Sequence, residues 1–248
     1  MEAIDPIKLA AIKQAFSMPV KPSILNSYYA MLTSSEPEID GFNRLIAANS
    51  DIEAKLKSRI NSYGFGLKHS MGSINEALTK LGLLSINNLL TGIMLDECLS
   101  IDSKPVTNLA MFIGRNSHSQ LSIDNLFCLA SFANAGKHLM IARDINAYNC
   151  FDVSYALADH WHLSSDYLSI FELLSTENAF TTSKFKLSPI EFKFYAAVLS
   201  ITLCCVYSQH SNRQVDTYLS NKSAALNYLG LSEVDFNELK ERYTQQTS

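Results

Sequence analysis

The sequence predicts an all-α protein, a multi-helix bundle, and three observations support this. Apolar residues recur at helical spacing in nearly every segment of the 248-residue chain. No segment alternates apolar and polar residues convincingly at period two, as a half-buried strand would. Helix-capping signals, such as Ser73 followed by Glu76 three residues later, precede several of the apolar segments.

Four predicted helices occupy the N-terminal quarter of the chain. The first begins at Asp5-Pro6, which offers a side-chain acceptor at the cap and a proline in the first turn. The others cover residues 23–34, about 39–46 and about 51–60. Asn61-Ser62 follows the fourth helix, and we expect these side chains to bond backbone groups and turn the chain.

Later capping signals mark three more helices. The helix that begins at Ser73 is predicted to end at Gly82, where a C-terminal cap belongs. The segment from Ser188 to Glu191 opens an apolar helix that runs to Tyr207. Its apolar part, residues 195–207, is shorter than the roughly 20 residues of a membrane span, so it is predicted to be buried in the protein.

Two further segments complete the predicted order of elements. Gly230 closes one helix, and Ser232 and Asp235 begin the last. Residues 177–187 are expected to form a polar, mobile loop.

Composition and charge bear on location and partners. The net charge of -4 gives no general attraction to nucleic acid or to an anionic membrane, and we expect neither as a partner. The N-terminus lacks the basic start and apolar run of a secretory signal. The five cysteines are an odd number without Cys-x-x-Cys spacing, which favours mostly buried thiols in a reducing cytoplasm and no zinc cofactor.

Three blocks of residues follow one another along the chain. The first runs from Met18 to Gly82 and includes Asn61-Ser62 and a Ser-Ile-x-x-Ala-Leu-x-x-Leu-Gly segment. The second is residues 129–142, and the third, residues 153–170, contains Trp161 and Leu163. In this order the blocks resemble the HDOD domain family, the HD-related output domains of bacterial signalling proteins. The first block departs from the family at Asn49-Ser50, where Asp-Pro is usual.

The resemblance implies a domain organisation. It covers most of residues 15–212, with a helical lobe at about 15–100 and an HD-like lobe at about 101–212. Residues 213–248 are expected to add C-terminal helices that pack on the same unit.

The resemblance also implies that the metal-binding residues of HD hydrolases are lost. Those enzymes use a His from one helix, an adjacent His-Asp pair from the next helix and a later Asp to hold a metal that activates water. Here Ala133-Asn134 stands at the pair, residues 101–116 contain no His, and residues 195–207 contain no carboxylate. We therefore expect no catalytic residues, no metal ligands and no cofactor.

The sequence predicts structural roles for some other candidate residues and leaves two possible roles for others. Asn134, Lys137 and His138 could line the remnant of the lost active-site cavity, although His138 could instead cap a surface. Gly136 in an apolar helix indicates close helix packing, and Trp161 is predicted to anchor the core.

Histidines and basic residues elsewhere form no convincing site. His160 and His162 lie two apart and cannot easily share a metal on a helix, whereas Asp159 and His162 could form a surface ion pair. His118 is expected in a solvated loop. The basic residues of the fourth helix are expected to form a solvated face; they are Lys55, Lys57 and Arg59.

The expected function is that of a non-catalytic signalling or regulatory module that binds a protein partner or a small ligand in the bacterial cytoplasm. The alternative is a metal-dependent phosphohydrolase of HD type with an atypical site.

Overall fold

A computed structural model describes residues 4–34, 39–62, 70–117, 121–145, 147–207 and 217–247 of the chain. Within these ranges it contains thirteen α-helices, one 3-10 turn and no strand, which confirms the all-α prediction. The helices are α1 (Pro6–Phe16), α2 (Ser23–Leu32), α3 (Ile39–Ala47), α4 (Ser50–Ile60), α5 (Ile74–Leu99), α6 (Lys104–Ser117), α7 (Ile123–Arg143), α8 (Cys150–His160), α9 (Ser165–Leu174), α10 (Ser183–Leu187), α11 (Ile190–Tyr207), α12 (Thr217–Leu229) and α13 (Glu233–Thr247).

Capping side chains set several helix boundaries where the sequence placed them. Asp5 Oδ1 accepts a hydrogen bond from the Ile7 amide at 2.9 Å and caps α1. Ser73 Oγ accepts one from the Glu76 amide at 3.2 Å and caps α5. Asn61 turns the chain after α4, because its side chain both donates to the Met71 carbonyl (3.0 Å) and accepts from the Met71 amide (2.7 Å).

Gly82 interrupts α5 rather than ending it. Its φ of +82° lies in the region that favours glycine, and it separates a first part (residues 74–81) from a longer second part (residues 83–99). The predicted break is therefore present, and the helix resumes beyond it.

The core of the bundle surrounds α7. Most residues of this helix are buried, and it packs against α5, α6, α8 and α11. The apolar helix α11 is buried over residues 195–205, as predicted, and contacts α6, α9, α12 and α13. By length and composition alone, α5 and α11 could cross a membrane, but both contribute many residues to the protein core.

The prediction of a loop at residues 177–187 was wrong. This segment forms the 3-10 turn Ala179–Thr181 and the helix α10. Asn221 of α12 holds it in place, because its Oδ1 accepts a hydrogen bond from the Ala179 amide at 2.8 Å. The aromatic rings of Phe180 and Phe185 also pack against each other and against Tyr228. Tertiary contacts of this kind cannot be recognised in the local sequence.

Candidate functional site

The three helical regions that the resemblance associates with metal binding converge in the structure. Asn134 of α7 is 4% exposed, and its Nδ2 donates to Ser103 Oγ at 2.8 Å, just before α6. Its Oδ1 accepts a hydrogen bond from the Tyr207 hydroxyl of α11 at 2.6 Å. Ala133 beside it is fully buried. Both polar atoms of the Asn134 amide are thus used by protein side chains.

A divalent metal does not fit the side chains of this position. Ala133 has no ligand atom, and coordination by Asn134 Oδ1 would compete with the hydrogen bond from Tyr207. Neutral hydroxyl and amide groups also supply none of the imidazole and carboxylate ligands that such a centre uses. In the described ranges, no three His, Cys, Asp or Glu residues come together as a metal site.

Lys137 and His138 lie further along α7. Lys137 is 3% exposed, and its Nζ is 5.8 Å from the centre of the Tyr218 ring. His138 is half-buried. Neither side chain, nor Asn134, lines the cavity of about 500 Å³ that the described residues form elsewhere. A ligand at these three residues therefore stays a prediction.

The hydrogen bonds of Asn134 continue to a buried ion pair. Asp96 Oδ2 accepts hydrogen bonds from the Ser103 amide (3.1 Å) and from Arg59 Nη2 (2.9 Å). Asp96 Oδ1 is buried and has no hydrogen-bond partner in the described residues. Burial raises the pKa of the Asp96 carboxyl to about 6, since hydrogen bonds from Ser103 and the charge of Arg59 only partly offset desolvation.

This network corrects the prediction of a solvated basic face on α4 at Arg59, whereas Lys55 and Lys57 keep much of their exposure. The Arg59 side chain is only 11% exposed and pairs with Asp96 and Asp102. Lys55 and Lys57 are also paired, with Glu97 and Glu53 respectively. Arg59 therefore joins α4 to α5 and to the turn before α6.

The raised pKa predicts a pH effect on stability. Between about pH 4 and pH 6 the folded protein holds a proton on Asp96 that the unfolded chain, with a pKa near 3.8, releases. The contribution of Asp96 to the free energy of unfolding therefore falls as pH rises through this window, and is constant above it. Asp96→Asn removes the ionisation. Between pH 4 and pH 7, we expect the free energy of unfolding of the wild type to fall by about 1–3 kcal/mol relative to that of this variant.

Urea unfolding of both proteins at several pH values measures this difference. Because all other carboxyl groups are shared, their titration cancels in the comparison. Parallel curves of unfolding free energy against pH would contradict the prediction.

A cavity in the described residues lies elsewhere, between the N-terminal helices and the bundle. It has a volume of about 500 Å³ and is bounded by α2, α5, α7, α9 and α11. The turn after α8 also contributes, because His162 there has a φ of +56° and reaches the cavity wall. The sequence prediction did not identify this cavity, since its lining residues come from distant helices without a motif.

A partly buried hydrogen-bond network forms one wall of this cavity. Asn88 Nδ2 donates to Asp124 Oδ2 (2.7 Å) and to Asn125 Oδ1 (2.8 Å). Asn125 Oδ1 also accepts from the Tyr167 hydroxyl at 2.9 Å. The Tyr195 hydroxyl donates to Glu191 Oε1 at 2.9 Å. Burial raises the pKa of Tyr167 and of Tyr195, so both phenols stay protonated at neutral pH.

The remaining histidine predictions have clear outcomes. Asp159 pairs with Lys13 of α1 rather than with His162, so the predicted Asp159–His162 ion pair was wrong. His160 ends α8, and His162 lies beyond the helix in the turn. His118 lies outside the described residues. All five cysteines lie in described ranges and form no disulfide; only Cys98 is exposed.

Comparisons with known proteins confirm the resemblance over part of the chain. Residues 18–121 match the model of the HDOD domain. This range contains the first of the three blocks, whereas Ala133-Asn134 and Trp161 lie beyond it. No curated protein matches the chain significantly.

Two solved structures show the same fold. One is a protein from Shewanella amazonensis SB2B with the provisional description of a metal-dependent phosphohydrolase; it is 16% identical, with a TM-score of 0.57 over 88% of this chain and 97% of that one. The other, from the same organism and provisionally described as a phosphohydrolase, is 12% identical, with a TM-score of 0.60 over 95% of this chain and 94% of that one. The fold is therefore of the HD type.

Proposed function

We propose that this chain, an HD-type helical bundle whose residues 18–121 match the HDOD domain, is a non-catalytic regulatory module. It acts in the bacterial cytoplasm by binding a protein partner or a small ligand in a signalling pathway. The absence of a strong positive charge supports a function without nucleic acid or membrane partners.

One observation carries this proposal: the side chains at the former metal position bond to one another. Asn134 joins the start of α6 to the end of α11 through Ser103 and Tyr207. In an HD hydrolase these regions would hold the metal that activates water. Here they stabilise the packing of three helices, and a bound metal would have to break those hydrogen bonds.

Metal content tests the proposal directly. We expect protein purified without metal-chelating resin to contain no near-stoichiometric manganese, iron or zinc by elemental mass spectrometry. Adding Mn²⁺ should leave the melting temperature unchanged, since a metal that binds only the folded state would raise it. Asn134→Ala is the test variant, because it removes the side chain at the position in question, and we expect its metal content to equal that of the wild type.

The contrary result is also well defined. Near-stoichiometric metal in the wild-type protein, together with hydrolysis of a nucleotide or cyclic dinucleotide that Asn134→Ala abolishes, would establish an atypical phosphohydrolase and overturn the proposal.

A further inference from the structure

The cavity between the N-terminal helices and the bundle has the dimensions of a small-molecule site. Its volume of about 500 Å³ falls within the range of roughly 300–1,000 Å³ that is usual for ligand pockets. Apolar side chains form part of the lining, among them Leu25, Leu129 and Ile170. A ligand with an apolar body could therefore be buried there.

Asn88 offers an open acceptor in the wall. The acceptor-only carboxylate of Asp124 fixes the Asn88 amide so that Nδ2 faces Asp124. The Oδ1 atom of Asn88 then remains, and within the described residues it accepts no hydrogen bond. This oxygen is not sealed from solvent, so a ligand N–H group could donate to it.

The charges at the cavity favour a positive ligand. Two carboxylates, Asp166 and Glu191, line it against a single ammonium group, that of Lys21. Lys21 Nζ already donates to the Trp161 carbonyl at 3.0 Å, and burial lowers its pKa. Counting only the lysine and the two carboxylates, the lining has a net charge of about -1. A phosphate group would meet two carboxylates and a single ammonium group that already donates one hydrogen bond, which disfavours nucleotides.

Aromatic rings in the lining also favour a positively charged ligand. Tyr29, Tyr167, Phe192 and Tyr195 all contribute to the cavity wall. The faces of such rings attract cations and also pack well against an apolar or aromatic body. Ring faces and carboxylates together are the chemistry that recognises organic ammonium groups.

We propose that this cavity binds a small organic amine with an apolar body, its ammonium group directed to the acceptors of the wall. This deepens the proposed regulatory function and rests on it. Because residues of α2 and α5 and residues of α9 and α11 all line the cavity, the bound amine would contact helices from distant parts of the chain. Binding would thereby stabilise the packing of these helices.

Three probes with the same body and different head groups test the proposal: 2-phenylethylamine, 2-phenylethanol and 3-phenylpropanoate. Titration calorimetry and protein NMR on the full chain measure their dissociation constants. We expect the amine to bind at least about tenfold more tightly than the alcohol, and the carboxylate more weakly than both. Glu191→Gln should weaken amine binding about five- to tenfold without unfolding the protein, because Glu191 is exposed. Glu177→Gln, a change at an exposed residue outside the cavity, is the matched control.

Three results would overturn the proposal. In the first, 2-phenylethanol binds as tightly as 2-phenylethylamine. In the second, the amine does not bind at about 10 mM, and in the third, guanosine monophosphate binds more tightly than the amine. The metal analysis distinguishes failure of the cavity proposal from failure of the proposed regulatory function. Protein without metal that does not bind the amine refutes only the cavity proposal, whereas a metal-loaded hydrolase that binds the amine refutes only the regulatory function.

Discussion

Gly136→Ala is expected to lower the free energy of unfolding by about 3 kcal/mol, because α7 and α8 leave no room for a methyl group at this position. A Cβ atom at Gly136 would lie 2.2 Å from Ser154 Oγ, 2.6 Å from the Cys150 carbonyl oxygen and 2.9 Å from the Ser154 amide nitrogen. Two of these atoms belong to the backbone of α8, so a side-chain rotation cannot relieve the overlap. The helices would have to separate, and their buried contacts would weaken.

Urea unfolding followed by circular dichroism measures this loss. Gly72→Ala is the control, because a Cβ there meets no atom within 4 Å, and we expect a change within about 0.5 kcal/mol. Adding Ser154→Ala to Gly136→Ala removes only the Oγ contact and should restore a minor part of the stability. Full recovery in that double variant would show that backbone contact is not the cause.

Trp161→Ala should destabilise the protein by about 3–5 kcal/mol, the usual range for a large buried aromatic residue. Trp161 is fully buried, and its ring meets Phe132 edge-to-face at 5.7 Å between centroids. Its Nε1 donates to the Pro19 carbonyl at 2.8 Å, so it also ties the segment before α2 to the end of α8. Lys21, which lines the cavity, donates to the Trp161 carbonyl from the same segment.

Trp161→Phe separates packing from the hydrogen bond. It keeps an aromatic ring but loses the donor to Pro19, and we expect a smaller loss of about 1–3 kcal/mol. Circular dichroism in urea is the suitable probe, because Trp161 is the only tryptophan and its fluorescence disappears in both variants. A loss below about 1 kcal/mol for Trp161→Ala would contradict its predicted role as a core anchor.

Local sequence signals predicted the elements of this fold well. Asp5 and Ser73 cap helices as expected, because capping involves only residues that are close along the chain. Asn61 bonds backbone groups as predicted, at Met71, whereas the prediction for Ser62 was wrong, since its buried hydroxyl has no partner in the described residues. Gly136 was recognised as a site of close packing because glycine has a low helix propensity, so its presence in an apolar helix indicates a compensating close contact. Local signals failed at residues 177–187, where packing on α12 decides the conformation.

Side-chain partners could not be predicted in the same way. Arg59 looked like part of a solvated face, yet the fold brings it to Asp96 and Asp102, which lie 37 and 43 residues further along the chain. Asp159 pairs with Lys13, which is 146 residues away. No periodicity or short motif encodes such pairs.

The sequence by itself therefore determined that the chain is helical, that it resembles HDOD domains, and that Ala133-Asn134 stands where this resemblance would place a metal-binding pair. These properties follow from residue types and their local spacing. Only the tertiary structure decided that Asn134 bonds to Ser103 and Tyr207, and that residues of α2, α5, α7, α9 and α11 line one cavity. Hydrogen bonds and cavities are formed by groups distant along the chain, so their existence depends on how the helices pack.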